Sequence, residues 1–321
     1  MTPPSSYFLT GALGCIGAWI AKTLLERGDD VTIADLGSDR RRLESVIEPE
    51  DLARARFVAV DIAEAEAVAD ALSSSAAARV IHLAGLQVPA CSANPALGAA
   101  VNVVGTLNVF AAAAALDCDR VVYASSAAVY GPDDGATPDE ATSGTPGTHY
   151  GVFKQANEGN ARVFAQDHGL SSVGIRPLTV YGVGRDQGLT SGPTRAMKAA
   201  VVGRPFTIGF SGRTDYQYVE DTAAAFVAAA DHAHEGARIY NLHGETADVT
   251  DIIAGIVTER PEAKITYGGP EIPIPPTIDG SAIRDALPGL PSTPLRRGIA
   301  ATIDRFQALH DAGRLDLSDL D

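Results

Sequence analysis

Short β-branched and apolar runs alternate with longer, Ala-rich amphipathic stretches through the first half of the chain. Tyr7-Phe8-Leu9-Thr10, Val31-Thr32-Ile33-Ala34, Phe57-Val58-Ala59-Val60, Val80-Ile81-His82-Leu83, Val121-Val122-Tyr123-Ala124 and Val173-Gly174-Ile175 have the length and composition of buried strands. Helical patterns lie between them: one opens after a glycine turn and runs to about Arg27, and others cover 97–116 and 151–168. Strands alternating with helices predict an α/β protein with a parallel sheet covered on both faces. Right-handed crossovers then leave one architecture, the doubly wound parallel sheet.

After about residue 180 the rhythm breaks. Gly, Pro and Thr become frequent, and shorter elements are predicted at 191–202, 216–219, 221–234, 238–242 and 249–259. Gly268 to Pro276 reads as a loop on composition. A last helix is predicted to start near Thr293-Pro294, a cap residue followed by Pro at the first helical position. The expected division is a dinucleotide-binding sheet over residues 1–180 and a smaller substrate-binding lobe over 181–321, interleaved with it.

Composition narrows the partners. The 321 residues carry 25 Lys+Arg against 40 Asp+Glu, a formal charge of −15, which argues against phosphate-backbone or anionic-lipid binding. No apolar run of about 18 residues stands out, and no membrane span is expected. Met1-Thr2-Pro3-Pro4-Ser5-Ser6 lacks the charged-then-apolar plan of a secretory leader. Three scattered cysteines, Cys15, Cys91 and Cys118, fit a reducing compartment. The expectation is a cytoplasmic protein whose partner is neither nucleic acid nor membrane. Only four basic residues are lysines (Lys22, Lys154, Lys198, Lys264), so a lysine at a chemically suggestive position stands out.

Thr10-Gly11-Ala12-Leu13-Gly14-Cys15-Ile16-Gly17 follows the first strand and opens the first helix. Its glycines permit a tight turn and close approach of a pyrophosphate to backbone N–H groups at a helix N-terminus. A purely structural turn is the alternative. Asp35 ends the second strand, where a carboxylate can accept from the 2′- and 3′-hydroxyls of an adenosine ribose. A carboxylate there would repel a 2′-phosphate, which favours NAD over NADP. Arg40, Arg41 and Arg42 follow and are expected to face solvent. Asp61 ends the third strand with Ile62 beside it, either as a clamp on the adenine or as a helix cap.

Ser125-Ser126-Ala127-Ala128-Val129-Tyr130-Gly131 follows the fifth strand, which places its hydroxyls at the sheet edge where open α/β sheets bind ligands. Tyr150 and Lys154 stand four apart, on one face of a helix start. A phenol titrating near about 10 is a poor base at neutral pH. A neighbouring ammonium and a positively charged nicotinamide would both favour the phenolate. Tyr and Lys on an ordinary solvated face is the bland alternative, and His82 reads as a packed strand residue.

In order and spacing, Gly11-x-x-Gly14-x-x-Gly17, Asp35, Asp61, His82-Leu83-Ala84-Gly85, Asn102, Ser126, Tyr150-x-x-x-Lys154 and Arg176-Pro177-x-x-Val180-Tyr181-Gly182 span most of the chain. Together they resemble an extended short-chain dehydrogenase/reductase of the NAD-dependent epimerase/dehydratase family. The resemblance implies a Rossmann fold, NAD as cofactor, Tyr150 as general acid/base and Ser126 as hydrogen-bond partner of the reacting oxygen. It implies that Lys154 holds the nicotinamide ribose and lowers the Tyr150 pKa. Leu83, Ala84, Gly85 and Asn102 would line the dinucleotide, with Pro177 and Val180 beside the nicotinamide. Asn102 fixing a backbone and Pro177 merely ending a strand remain as alternatives. Cys15 and Ile16 fall within the glycine turn. Relatives pair the helices at 97–116 and 151–168 in a four-helix interface, so a homodimer is expected.

The departures from the family pattern bear on the reaction. Nucleotide-sugar dehydratases carry an acidic pair directly after the catalytic hydroxyl residue, and Ala127 and Ala128 stand there instead. A methyl group transfers no protons, which argues against dehydration. Nucleotide-sugar members present Arg before an Asp-Tyr pair to grip the diphosphate. Aligned on Val219-x-Asp221, that position is Thr214, with Arg213 one residue early, and the usual Asn of the late strand is Thr179. A one-residue slip would restore the grip through Arg213. In the loop 182–191, Arg185 could hold a carboxylate in two-pronged fashion or pair with Asp186 at the surface, and Gln187, Thr190 and Ser191 could bond hydroxyls. Gln87, Ser125 and Thr179 complete the candidates for a small, polar, sugar-like substrate. The expected activity is an NAD-dependent dehydrogenase acting on a secondary alcohol of a free sugar, sugar acid or polyhydroxy acid. The alternative is a nucleotide-sugar 4-epimerase using the same Ser126, Tyr150 and Lys154.

Overall fold

A computed structural model describes residues 5–320, so Met1 to Pro4 of the leader argument lie outside the described residues. The six apolar runs form β1 (Ser6–Thr10), β2 (Asp30–Asp35), β3 (Arg56–Ala59), β4 (Arg79–His82), β5 (Arg120–Ala124) and β6 (Ser172–Arg176). The chain then adds β7 (Thr179–Tyr181), β8 (Phe206–Ile208), β9 (Arg213–Tyr218), β10 (Ala237–Asn241), β11 (Glu245–Asp248) and β12 (Ile265–Tyr267). A seven-stranded parallel sheet runs β10-β6-β5-β4-β1-β2-β3. Its seventh strand comes from 237–241, so the chain leaves the sheet after β6 and returns to it from the second half.

Strand side chains alternate between two cores, as a period of two requires. Tyr7, Leu9, Ile33, Ile81, Val122 and Ile175 pack on one face with the helices Cys15–Glu26 and Val219–Asp231. Phe8, Ala34, Val80, Val121 and Tyr123 pack on the other with Leu72, Val109, Phe110 and Ala161. Burial on both faces explains why the strands read as continuous apolar runs. The strand order reverses beside β1, and the crevice outside the strand C-termini at that point is where such sheets bind ligands. Thr10, Asp35, His82, Ala124 and Arg176 all end strands at this edge.

The small second layer, β11-β9-β7, and the pair β12-β8 escape the sequence pattern because β7, β8 and β12 are three residues each, too short to display a period. The last helix, Leu295–Asp311, is capped by Pro294 rather than Thr293, whose N–H and hydroxyl go to Asp221 instead. Residues Pro95–Ala115 correct the hydropathy reading: they form an uncharged helix with a mean hydropathy of 1.6 over an 18-residue window, long and apolar enough by composition to cross a membrane. Here it lies against the sheet, burying Val109, Phe110, Ala112 and Ala113. Leu97 and Val104 on this helix stay exposed, as do Val152 and Val163 on His149–His168.

Candidate active site

The glycine turn is set by backbone meeting backbone. Gly11 adopts φ +74°, and a Cβ there would stand 2.4 Å from the Ala84 nitrogen. A Cβ on Gly17 would stand 2.3 Å from the Gly11 carbonyl oxygen. The helix Cys15–Glu26 starts at Gly14 without a side-chain cap, leaving its first N–H groups for an anion. Asp35 accepts from the Leu13 N–H at 3.1 Å and the Gly37 N–H at 3.3 Å, which fastens the turn to the end of β2. Cys15 and Ile16 are partly buried behind the turn, and burial pushes the Cys15 thiol up to about 12. This cradle, with a carboxylate at the end of β2, fits a dinucleotide bearing a free ribose 2′-hydroxyl. Asp61 accepts from the Ala63 N–H at 2.9 Å, and Ile62 is buried against Gly105.

The three arginines do not all face solvent, as the sequence suggested. Arg40 lies 3.5 Å over the Phe57 ring and Arg41 pairs with Asp39. Arg42 turns inward, pairs with Asp186 at 2.7 Å and donates to the Leu13 carbonyl at 2.8 Å, tying the glycine turn to the loop after β7.

Leu83 and Ala84 continue the β1–β4 ladder, donating to the Thr10 carbonyl and hydroxyl. Asn102 is buried and holds both backbone groups of Leu86, at 3.0 and 3.1 Å, so it fixes the loop that carries Gly85. It sits in a π-helical turn, Ala100–Val104, whose Asn102 carbonyl accepts from Thr106 at 2.7 Å and from Asn157 at 2.8 Å. His82 bridges the hydroxyls of Thr10 and Thr106, and burial takes its pKa down to about 3. It is a neutral packing residue, as expected.

Thr148 caps the helix His149–His168 through the Gly151 N–H at 3.1 Å, which places Tyr150 and Lys154 on its first two turns. The Ser126 hydroxyl stands beside the Tyr150 phenol and favours its ionised form. Lys154 Nζ is buried, donates to the Ala124 carbonyl at 2.6 Å and lies 5.5 Å from the Tyr150 ring centre. Burial lowers the ammonium to about 8, with Cys91 and Glu158 holding it up. Burial also raises the Tyr150 phenol above its ordinary value, while the Ser126 hydroxyl and the Arg185 charge pull it back.

Two candidate hydroxyls are already engaged. Ser125 is buried and donates to Glu158 Oε1 at 2.5 Å. Glu158 in turn receives Arg176 through both carboxylate oxygens at 2.7 Å, and Arg176 donates to Tyr130 at 2.5 Å. Tyr130 reaches Asn241 of β10 at 2.8 Å. Thr179 is fully buried, bonded at 2.9 Å to Thr214, itself buried in β9. Neither Ser125 nor Thr179 is free for substrate. Arg213 starts β9 exposed, and the residue after it, Thr214, is buried on the other face of the strand. Pro177 accepts from the Ala127 N–H at 2.9 Å, tying β6 to the Ser126 turn, while Val180 is buried in the core.

The loop after β7 does cross toward Tyr150. Arg185 is half-buried and donates to Thr190 at 3.0 Å. A Cβ on Gly188 would meet Gln87 Oε1 at 2.2 Å and Arg185 Nη2 at 3.3 Å, so Gln87, Gly188 and Arg185 converge. Gln187 is exposed, and Ser191 is buried and spends its hydroxyl on the Gly188 carbonyl.

A family model described as the NAD dependent epimerase/dehydratase family matches residues 7–242. The chain belongs to that family. The UDP-glucose 4-epimerase of Mycolicibacterium smegmatis is 29% identical over 318 residues, covering 93% of this chain and 97% of its own length. The UDP-glucose 4-epimerase of Erwinia amylovora is 30% identical over 261 residues, 74% of this chain and 77% of its own. A Thermus thermophilus UDP-glucose 4-epimerase solved in complex with NAD has a TM-score of 0.81 at 25% identity, over 94% of this chain and 98% of that one. Membership makes the chain an NAD-dependent enzyme of the extended short-chain dehydrogenase/reductase type with a Rossmann sheet.

Within this family member, the residues that sequence reasoning missed are Glu158, Asn157 and Arg42. Glu158 had a signal, since Tyr150, Lys154 and Glu158 repeat at i, i+4 and i+8 on one helix face. Arg42 had none, because its partner Asp186 lies 144 residues away.

Proposed function

We propose that the chain epimerises a sugar at a secondary hydroxyl, with UDP-sugars as its substrates. The names of the curated relatives favour this over the dehydrogenase that the sequence suggested. The observation that carries the chemistry is buried Lys154, 5.5 Å from the Tyr150 ring centre and tied to the Ala124 carbonyl at the strand end that leads into Ser126.

NAD, held by Gly11, Gly14 and Gly17 with Asp35 on its ribose, supplies the hydride acceptor and donor when bound. Tyr150 takes the proton from the sugar hydroxyl and Ser126 holds the oxygen as its carbon becomes trigonal. Lys154 holds the nicotinamide ribose, and its ammonium is the positive neighbour of the ring. After the sugar turns its other face, Tyr150 returns the proton, so no net oxidation remains. Burial raises the phenol, and the Ser126 hydroxyl and the Arg185 charge only partly offset that.

NAD-loaded protein given UDP-glucose should form UDP-galactose, read by chromatography, without accumulation of reduced nicotinamide. Tyr150→Phe should lower that turnover by about a thousandfold and leave NAD binding unchanged. Turnover retained in this variant would remove Tyr150 as the base.

The Thr179–Thr214 pair favours a second reading, the NAD-dependent dehydrogenase of a free sugar or sugar acid, because it occupies the places where the family pattern puts Asn and Arg for a diphosphate. Stoichiometric reduced nicotinamide with a free sugar, and UDP-sugars left unchanged, would establish it instead. We also propose a homodimer through the exposed apolar residues Leu97, Val104, Val152 and Val163. Light scattering that gives the monomer mass at working concentration would refute that.

A further inference from the structure

Two of the four lysines are buried: Lys154, used above, and Lys198, which the candidate site leaves unexplained. Lys198 stands on the helix Gly192–Val201, which follows the loop 182–191 directly. Its Nζ pairs with Asp319 at 2.7 Å, with side-chain exposures of 8% and 13%, and lies 5.5 Å from the buried Phe306 ring centre. Arg195, one turn earlier, donates to the Asp319 carbonyl. Two cations of one helix thus close on a residue 121 and 124 positions further along the chain.

This lock is poorly satisfied. Asp319 Oδ2 and Arg195 Nε are both buried without a hydrogen-bond partner, and they lie 4.0 Å apart. A buried ion pair with unmet atoms is a weak stabiliser, so what it fixes is position more than fold stability. Gly313, at φ +66°, follows the helix Leu295–Asp311, and the segment 315–320 then runs past a second element as well. On the helix Arg41–Val46, Arg41 pairs with Asp316 and donates to Ser318 at 3.3 Å.

Both elements that this segment touches hold the loop 182–191. On the helix Gly192–Val201, buried Thr194 accepts from the Gly182 N–H at 3.1 Å, and the N-cap residue Ser191 donates to the Gly188 carbonyl at 2.9 Å. On the helix Arg41–Val46, Arg42 stands next to Arg41 and holds Asp186 at 2.7 Å. The segment 315–320 therefore connects the two anchors of the loop.

We infer that residues 315–320 are a strap, locked by Lys198, that sets how firmly the loop 182–191 is held over the substrate. Lys198 is a positioning residue, acting through Thr194 and Ser191 on its own helix and not on the reacting atoms. The inference rests on the proposed sugar site at Tyr150, toward which the loop crosses. It does not depend on whether the hydride is returned.

Hydrogen exchange of the NAD-loaded protein, read by mass spectrometry, compares the loop 182–191 with the glycine turn. The wild type, Lys198→Met, Asp319→Asn, the double variant and Lys198→Arg are measured. Methionine keeps an apolar stem over Phe306 and asparagine keeps the shape of Asp319, so each removes a charge with little change in packing. Exchange through 182–191 should quicken about tenfold in either single variant, while the glycine turn and NAD affinity stay within about twofold. The double variant should match the single ones, because each already opens the same lock, and Lys198→Arg should stay near the wild type. Where UDP-glucose turns over, its KM should rise about threefold or more at unchanged kcat. Quickening confined to 315–320 overturns the inference, since the strap would then hold only itself. An equal rise in loop and glycine turn also overturns it, as the sign of a merely looser fold, and so does an unchanged KM beside a loosened loop. Exchange is read without turnover, so absence of product with the loop response intact refutes the epimerase reading and supports the strap.

Discussion

At the cofactor end, main chain packs on main chain: a Cβ added at Gly11 or Gly17 would stand 2.4 or 2.3 Å from backbone atoms. At the substrate end, side chains meet across long sequence gaps: Thr179 with Thr214, Arg42 with Asp186, Gln87 with Gly188. The first surface tolerates almost no change and serves a cofactor shared by a whole family. The second can be rebuilt one side chain at a time without disturbing the sheet. Substrate class changes within such a family because the two jobs are carried by different kinds of contact.

The most severe way to test this division is Gly17→Ala. The methyl has nowhere to go among Gly11 and Ala12 backbone atoms, so a loss of about 3 kcal/mol or more in denaturant melts is expected, with NAD binding lost as well. A normally stable Gly17→Ala that binds NAD would break the comparison outright. Glu158→Gln should cost about 3 kcal/mol, because it leaves the Arg176 guanidinium buried without its counter-charge. It also removes one of the two groups that hold Lys154 up, so the Lys154 pKa should fall further, as read by NMR titration.

Protons supply a milder probe of the cofactor side. His82 is held neutral, near 3 when folded against 6.5 otherwise, so the unfolded chain binds the extra proton between those values. Stability should therefore be intact above pH 6.5 and decline as pH falls below it, by about 1.4 kcal/mol per pH unit. The slope should vanish in His82→Gln; a slope that persists there belongs to other groups. The smallest effect is expected for Asp186→Asn, which frees Arg42 from a half-exposed pair worth about 1 kcal/mol or less. Hydrogen exchange should quicken through 182–191 and substrate KM should rise more than NAD affinity falls. Equal changes in both would show that the two ends are not separable.

Much of the cofactor end was legible because its information is local. Six apolar runs became six strands of one sheet, and the glycine turn, Asp35 and Tyr150–Lys154 each occupy an element end that nearby residues dictate. The substrate end was less legible. Ser125 and Thr179 looked like free hydroxyls, and only the packing shows them bonded to Glu158 and Thr214. The helix 95–115 was apolar enough to count as a span, and its fate beside the sheet depends on what Phe110 and Val109 bury against.

By itself, the sequence determined six strands of the parallel sheet and its doubly wound class, since period, turn glycines and crossover handedness act over a few residues, whereas the seventh strand, Ala237–Asn241, joined it only through the tertiary fold. It also placed a Ser, a Tyr and a Lys at one edge of that sheet. The tertiary structure alone decided which charges were left over. Arg42 takes Asp186 and Glu158 takes Arg176, while the Arg185 Nε is left without a partner. Pairing between side chains 18 to 144 residues apart depends on where the chain folds back, and no local pattern carries that information.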